Sequence, residues 1–509
     1  MARTRDVSNI LTQPFAVTLG TSNYRAGVNA GNSIASGGNF NVCVGDEAGT
    51  AITTGDYNVA LGKSSLQGTT TGSENIAVGG VALAANILGS FSTAIGSGSL
   101  QIQNYATATS AYNTAVGYAS GAAVTTGVGN TLIGGLAGDA LTDADNNVAI
   151  GIGALTSDTL GSRSIAIGEG ALATQNFTTA TLSYNTVVGS AAGYAVTTGI
   201  QNTLIGGLAG DSLTTGQENV AIGYAALDGD TAGKGSIAIG INSLGVQNFS
   251  TATYSNNVAI GHNSGASITT GVQNTILGAY AGDGTDDGQG NVAVGYSALS
   301  VNCGNNNTAT GRFALTNCTG GNNTAHGDQA GNNVTSGSNN LFLGKDAGIT
   351  GSPGGNITTA SNTLVIGDEN ISASHIQTDW TVASDQRDKT DFTALDVGLD
   401  FVNALKPVTY KWDKRSKYGD KTADDYDLNN ITTDGTHKED WLDIGFKAQE
   451  VEAIEKAAGY KIADKTNLTT SLTGDGKQYG IQYAKFVPIL VKAIQELTAA
   501  NTALAARVK

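Results

Sequence analysis

A glycine returns every 17 residues along most of this chain: at Gly45, Gly62, Gly79 and Gly96, then Gly117, Gly134, Gly151 and Gly168, then Gly189, Gly206, Gly223 and Gly240. The step between sets is 21, so a 72-residue cycle of four units overlies the shorter period. A further set, Gly261, Gly278, Gly295 and Gly311, shortens one step to 16, and Gly327 and Gly344 close the run. A unit this short cannot bury a core alone. It has to stack on its neighbours, so the repeat predicts an elongated, mainly β solenoid rather than a globular enzyme.

Composition supports a folded shaft. With 71 glycines, only 4 prolines and 13% charged residues, the chain is neither collagen nor a highly charged disordered polymer. No apolar run is long enough for a membrane span, and the opening Met1-Ala2-Arg3-Thr4-Arg5-Asp6 lacks an apolar signal core, so folding in a cytoplasm is expected. The net charge of −16 resides mostly in residues 1–383, which carry 8 Lys+Arg against 22 Asp+Glu; an acidic shaft argues against nucleic-acid binding. The 3 cysteines are no disulfide framework. Cys303 and Cys318 fall on adjacent coils, where a bridge is conceivable, but small apolar fillings of a solenoid read as buried thiols.

Each unit carries a short alternating segment such as Asn147-Val148-Ala149-Ile150-Gly151. Strand side chains alternate, so Val148 and Ile150 share one face, expected to be the core, and Ala149 takes the other. That second face holds Ala at most coils and Leu132, Leu204 or Ile276 once per cycle; its small residues would admit another chain. The asparagines suit a ladder of stacked amides. After the glycines, the pairs Ala137-Gly138, Ala154-Leu155, Ala171-Leu172, Ala192-Gly193, Ala209-Gly210 and Ala226-Leu227 alternate Gly twice with Leu twice. The extra residues recur at Gln103-Asn104-Tyr105, Gln175-Asn176-Phe177 and Gln247-Asn248-Phe249 and predict a longer loop, whose Tyr105, Phe177 and Phe249 are candidate receptor contacts together with the distal segment 340–368. About eighteen coils at ~4.8 Å give a rod of roughly 85 Å.

The Asn-x-Val-Ala-Ile-Gly coil resembles the left-handed β-roll in the heads of trimeric autotransporter adhesins, and similar repeats occur in phage tail fibres. The likeness covers residues 41–370. An intertwined triple β-helix shared by three chains is the alternative architecture, since this coil is slightly longer than in those adhesins.

At Trp380 the pattern stops, and after a linker, 371–383, a charged α/β region begins. Four blocks stand in order: Ser384-Asp385-Gln386-Arg387-Asp388-Lys389, Leu405-Lys406-Pro407-Val408-Thr409-Tyr410-Lys411-Trp412, Ile444-Gly445-Phe446-Lys447-Ala448-Gln449-Glu450-Val451-Glu452, and Tyr483-Ala484-Lys485-Phe486-Val487-Pro488-Ile489-Leu490. Over 384–509 they resemble the intramolecular chaperone of phage tail spikes and fibres, the endosialidase type or peptidase family S74. The resemblance implies a module that trimerises, guides folding of a β shaft and cuts the bond between Ala383 and Ser384. Ser384 is then the nucleophile, Lys389 its base, Arg387 an orienting or oxyanion-stabilising group and Asp385 the holder of the turn. A Ser beside a Lys supports such a dyad independently, provided the lysine can lose its proton. Asp388 stands where the family usually has an apolar residue and is placed to pair with Lys389.

Further on, Val451 and Ile454 mark an amphipathic helix on which Gln449, Glu450 and Glu452 are expected to be structural or shaft-contacting. From Val487 the steps of three and four through Leu490, Ile494, Leu497, Asn501, Leu504 and Val508 form a heptad seam over 487–509 that would align identical chains, with Asn501 fixing register.

No other chemistry rises from the sequence. Asp139, Asp211 and Asp283 recur at 72-residue spacing, with Asp143, Asp145, Asp286 and Asp287 nearby, and read as turn caps rather than calcium ligands. His262, His326, His375 and His437 share no zinc spacing, so neither metal nor cofactor is expected. Residues 1–40, with Arg3, Arg5, Phe15, Tyr24 and Arg25, resemble the amino-terminal plugs of phage fibres. Together these features lead to the expectation of a homotrimeric fibre or spike on a virion, folded in the host cytoplasm. It would dock to a tail or baseplate through 1–40 and meet a glycan or protein receptor through 41–370. A bacterial trimeric adhesin and a glycan-degrading tail spike are the competing readings.

Overall fold

A computed structural model describes residues 20–377, 381–421, 423 and 425–508. Arg3, Arg5, Phe15 and Trp380 lie outside the described residues. The chain divides into two compact units, one ending at Asn306 and the other beginning at Asn307.

The first unit is a β-solenoid. Sixteen strands of three residues each, from Tyr24–Ala26 to Val292–Val294, stack in parallel register among the described residues. Val148, Ala149 and Ile150, for example, sit opposite Ile165, Ala166 and Ile167 on the next coil. The stack starts earlier than the glycine count placed it: Tyr24–Ala26 pairs with Val42–Val44, so Tyr24 and Arg25 belong to a coil rather than to a separate leading segment.

Alternation along each strand is as expected, but its faces are reversed. Ala149 is fully buried, together with Ala60, Ala77, Ala94, Leu132, Leu204 and Ile276, whereas Val148 and Ile150 are only half-buried. The physical reason is width. Between the strand centre and the turn, the interior of one coil has room for one large side chain, supplied by either; Leu141 and Leu213 fill the coil beyond that space. Where the centre is Ala149 or Ala166, the turn contributes the fully buried Leu155 or Leu172. Where the centre is Leu132, the turns carry Gly121 and Gly138, at which an added Cβ would stand 2.6 Å and 2.8 Å from the Leu132 methyls. Leu204 occupies the space of Gly193 and Gly210 in the same way, at 2.9 Å from each. The Gly-Gly-Leu-Leu alternation is thus a volume-conserving exchange across a one-side-chain core.

The repeated glycine serves close stacking. At Gly206 φ is +134°, and a Cβ would lie 2.4 Å from the carbonyl oxygen of Gly223 on the next coil, a distance no side chain tolerates. Buried asparagines form the expected ladder. Asn202 Oδ1 accepts the Asn219 N–H at 3.1 Å, and Asn202 Nδ2 donates to the Gly216 carbonyl at 2.9 Å. Every fourth coil the ladder changes hands: Ser92 replaces Asn, and Gln103 from the long loop donates to Ser92 Oγ at 3.0 Å while accepting from Asn113 Nδ2 at 2.8 Å.

In the second unit, four more coil strands, Thr308–Thr310 to Leu364–Ile366, precede the α/β region. Phe342 fills the core there between Gly331 and Gly348. The α/β region has helices α1 (Leu399–Ala404), α2 (Ala448–Ala457) and α3 (Phe486–Val508) and two antiparallel hairpins. Strand Val408–Tyr410 pairs with Asp443–Gly445, and Thr470–Leu472 pairs with Tyr479–Ile481. Phe401 of α1, Val451 of α2, Phe486 and Ile489 of α3, and Val397 form its core. Glu496 of α3 accepts the Leu399 N–H at 2.7 Å and so caps α1, whose own N-cap is Gly398. No helix among the described residues is long and apolar enough to cross a membrane.

Candidate functional site

The dyad residues meet. Asp385 opens a short 3-10 turn, Gln386–Asp388, by accepting the Arg387 N–H at 2.9 Å with its side chain. That turn brings Lys389 back over Ser384, and Lys389 Nζ donates to Ser384 Oγ at 2.5 Å and to the Ser384 carbonyl at 3.3 Å. Arg387 pairs with Asp385 at 2.6 Å. The side-chain bonds from Arg387 hold the Asp385 carboxyl below the usual carboxylate range, and the Arg387 backbone N–H adds to this. Among the described residues Asp388 makes no ion pair with Lys389; the ammonium is directed to Ser384 instead. The whole segment is exposed in the single chain, and Arg387 in this conformation is committed to Asp385 rather than to a carbonyl oxygen.

The reactive geometry is therefore present in local form: a hydroxyl next to its own preceding peptide bond, with an amine within hydrogen-bond reach. A charged ammonium can only donate. It becomes a base for Ser384 after losing its proton, and burial is the general means of disfavouring a charged lysine.

Helix α3 presents two apolar faces. Phe486, Ile489 and Ala493 are buried on the module's own core. Val487 (59% exposed), Leu490, Ile494 (63%), Leu497, Leu504 and Val508 remain open on the other, and Asn501 stands exposed among them. In α2, Val451 is buried, Glu452 pairs with Lys456 and Glu450 with Lys447, consistent with structural roles. The sequence reading missed Glu455. It is fully buried and accepts from the Thr469 N–H and hydroxyl at 2.5 and 2.7 Å and from the Thr470 N–H at 3.2 Å. Burial pushes its carboxyl upward, but the hydrogen bonds of Thr470 and Thr469 outweigh this and hold it low. The signal available in sequence was only a Thr-Thr pair.

The receptor candidates require correction. Tyr105, Phe177 and Phe249 are 5%, 6% and 7% exposed, not surface aromatics. The rings pack against neighbouring coils; Tyr105 Oη donates to the Gly127 carbonyl on the next coil at 2.8 Å, and Phe177 sits where a Cβ on Gly161 of the preceding coil would fall, at 2.7 Å. A large apolar ring on a polar loop gains more by covering the open end of a narrow core than by facing water. What the shaft does expose is the outer face of its strands, including Leu61, Ile76, Ile95, Ile133, Ile205 and Leu277.

Two of the candidate aspartates bond to neighbouring coils. Asp139 accepts from Thr156 on the next coil at 2.5 Å, and Asp145 accepts the Val128 N–H at 2.8 Å. Among the described residues no group of three or more His, Cys, Asp or Glu is arranged to hold a metal. The three cysteines are buried thiols, and burial raises the Cys43 thiol to about 11 despite the nearby Arg25.

Comparison with known proteins finds a match in one region. Residues 384–460 match the peptidase S74 family, described as the chaperone of endosialidase. No curated protein and no solved structure matches the chain. The match contains Ser384, Lys389, the first hairpin and α2. The second hairpin and α3 lie beyond it, and α3 completes the same core through Phe486 and Ile489. Residues 384–460 are thus similar to the endosialidase-type chaperone of the S74 family and are carried behind a β-solenoid.

Proposed function

We propose that this chain is the subunit of a homotrimeric phage tail fibre or spike whose shaft mediates host attachment and whose carboxy-terminal module directs assembly. The observation that carries the reading is the union of an S74 module with a solenoid, both of which leave apolar stripes uncovered in a single chain: the α3 seam and the outer Val/Ile face of the coils. Three copies wound about one axis would cover the α3 seam, and Asn501 within it would set their register. Residues before the first coil would join the tail or baseplate, and the receptor, a glycan or a protein, would meet the shaft.

In this reading the module also cuts itself off. Ser384 Oγ adds to the Ala383 carbonyl carbon, and the C–N bond to the Ser384 nitrogen breaks. Lys389, neutral once buried by assembly, takes the hydroxyl proton and returns it to the leaving amine. Water then hydrolyses the resulting ester, leaving a carboxylate on Ala383 and a free amino terminus on Ser384. Native mass spectrometry of the purified protein tests both parts at once. A mass of three chains, with each chain broken before Ser384, is the expected result; an intact monomer would overturn the reading.

A further inference from the structure

The last coil of the solenoid and the chaperone module are joined by more than the exposed segment that links them. Between Leu341–Leu343 and Leu364–Ile366 the coil lengthens to a step of 23 residues and inserts the glycine-rich turn 351–355. That turn is shaped to the module. A Cβ on Gly351 would lie 2.8 Å from Ser416 Cβ, and one on Gly355 would lie 2.8 Å from Thr473 Cβ. Directly after the coil, Glu369 is 7% exposed and enters a socket of basic residues from the module. Lys421 Nζ donates to its carboxylate, and Lys414 Nζ donates to its backbone carbonyl at 2.8 Å. A second contact lies across the turn, where Asp475 Oδ2 accepts the Asn356 N–H at 3.1 Å. Burial would raise the Asp475 carboxyl, but the hydrogen bonds of Thr473, Asn356 and Lys477 hold it below its ordinary range, so it meets that N–H as a carboxylate.

These groups come from separate stretches of the module, 414–421 and 473–475, and close on the coil from two sides. Neither contact uses the peptide link. The linker residues 372–377 are exposed along their length. We propose that the module grips the end of its own shaft through this Glu369 socket and the Asp475–Asn356 contact, so that residues 384–509 remain docked on the final coil after the Ala383–Ser384 bond is broken. The proposal rests on the self-cleavage reading for its occasion, but not for its physics: the grip holds however the link is cut. It also gives the final coil a role as the place where the module recognises a correctly closed turn.

The test separates the two ideas. In full-length protein carrying Ser384→Ala, a site for a specific protease is introduced within 372–377, the link is cut with that protease, and the product is run on a gel-filtration column. The shaft and residues 384–509 are expected to co-elute. Lys421→Glu, a change on the module surface, and Asp475→Asn are each expected to weaken the grip at least about tenfold, seen as separation on dilution. Co-elution of both variants as firmly as the parent, or separation of the parent itself, would overturn the proposal. Because scission is imposed from outside, failure of Ser384 to cleave leaves the outcome unaffected.

Discussion

The exchange of volume between strand centre and turn can be tested quantitatively at Ile276. Its side chain is 1% exposed, and the three atoms nearest to a Cβ on Gly282 would all belong to it: Cδ1 at 2.8 Å, Cγ1 and Cγ2 at 3.4 Å. Ile276→Ala leaves a cavity bordered by glycine, which has no side chain with which to collapse into it, so the loss should reach about 3–5 kcal/mol. Gly282→Leu alone drives a leucine into Ile276 and should cost about 1–3 kcal/mol from overpacking. The backbone does not forbid leucine there: Gly282 has φ +56°, and Leu244 and Leu299 hold +51° and +52° at the equivalent turn position. Together the two changes rewrite this coil as the Ala-centre, Leu-turn type found at Ala149 and Leu155. The double variant should therefore lie within about 2 kcal/mol of the parent, a coupling on the order of 3 kcal/mol. Guanidinium midpoints at one fixed protein concentration measure all four proteins. A double variant as unstable as the sum of the singles would refute the one-row core.

Three further outcomes are expected. Ser384→Ala and Lys389→Ala should each preserve full-length chains on a denaturing gel while leaving assembly intact, and cleavage persisting in the serine variant would place the nucleophile elsewhere. Ile494→Asp together with Leu497→Asp on the open face of α3 should abolish self-association without unfolding the module; light scattering reports the mass and circular dichroism the fold, and an unchanged mass would remove the seam from the interface. Glu455 has its folded-state carboxyl depressed below the ordinary value of 4.5, so its contribution is fully present above that value and is lost as pH falls through the lower folded one. Glu455→Gln should cost about 2–3 kcal/mol at neutral pH and flatten the acid side of the module's stability profile, read from thermal midpoints between about pH 7 and pH 3.

Much of the architecture was legible because it is periodic. Period locates the coils from Val42–Val44 to Leu341–Leu343 but not the first and last, Tyr24–Ala26 and Leu364–Ile366; alternation separates the two faces of Val148–Ile150, and the asparagine spacing announces the ladder. Which face is inside was not legible. Hydrophobicity favours Val148 and Ile150 for the core, whereas the width of a single coil, a property of the closed backbone, admits only Ala149 when Leu155 is already there. Tyr105, Phe177 and Phe249 misled for a related reason: a loop of polar residues says nothing about the direction in which its one ring points. The contact between Ser384 and Lys389 was readable because both are local to one turn. The Glu369 socket was not, since Lys414, Lys421 and Asp475 reach it only through the tertiary fold.

The four-coil rhythm of the core also acts as a ruler. Leu132 needs glycine on two successive turns, Gly121 and Gly138, while Ala149 and Ala166 need Leu155 and Leu172. The asparagine ladder needs its glutamine splice only where the long loop enters; Asn257, Asn274 and Asn291, and then Asn307, Asn323 and Asn340, bond directly from coil to coil. Adding a leucine-turn coil between Leu132 and one of its glycines would set two leucines in one space, whereas a coil joined to a run of its own kind is accommodated: Leu66, Leu83 and Leu100 follow one another beneath the buried Ala60, Ala77 and Ala94. The reach of this shaft can therefore change by single coils, about 4.8 Å at a time, within a leucine-turn run, but not beside Leu132. The marks of the ruler are local, set by what each strand centre asks of the turns on either side of it.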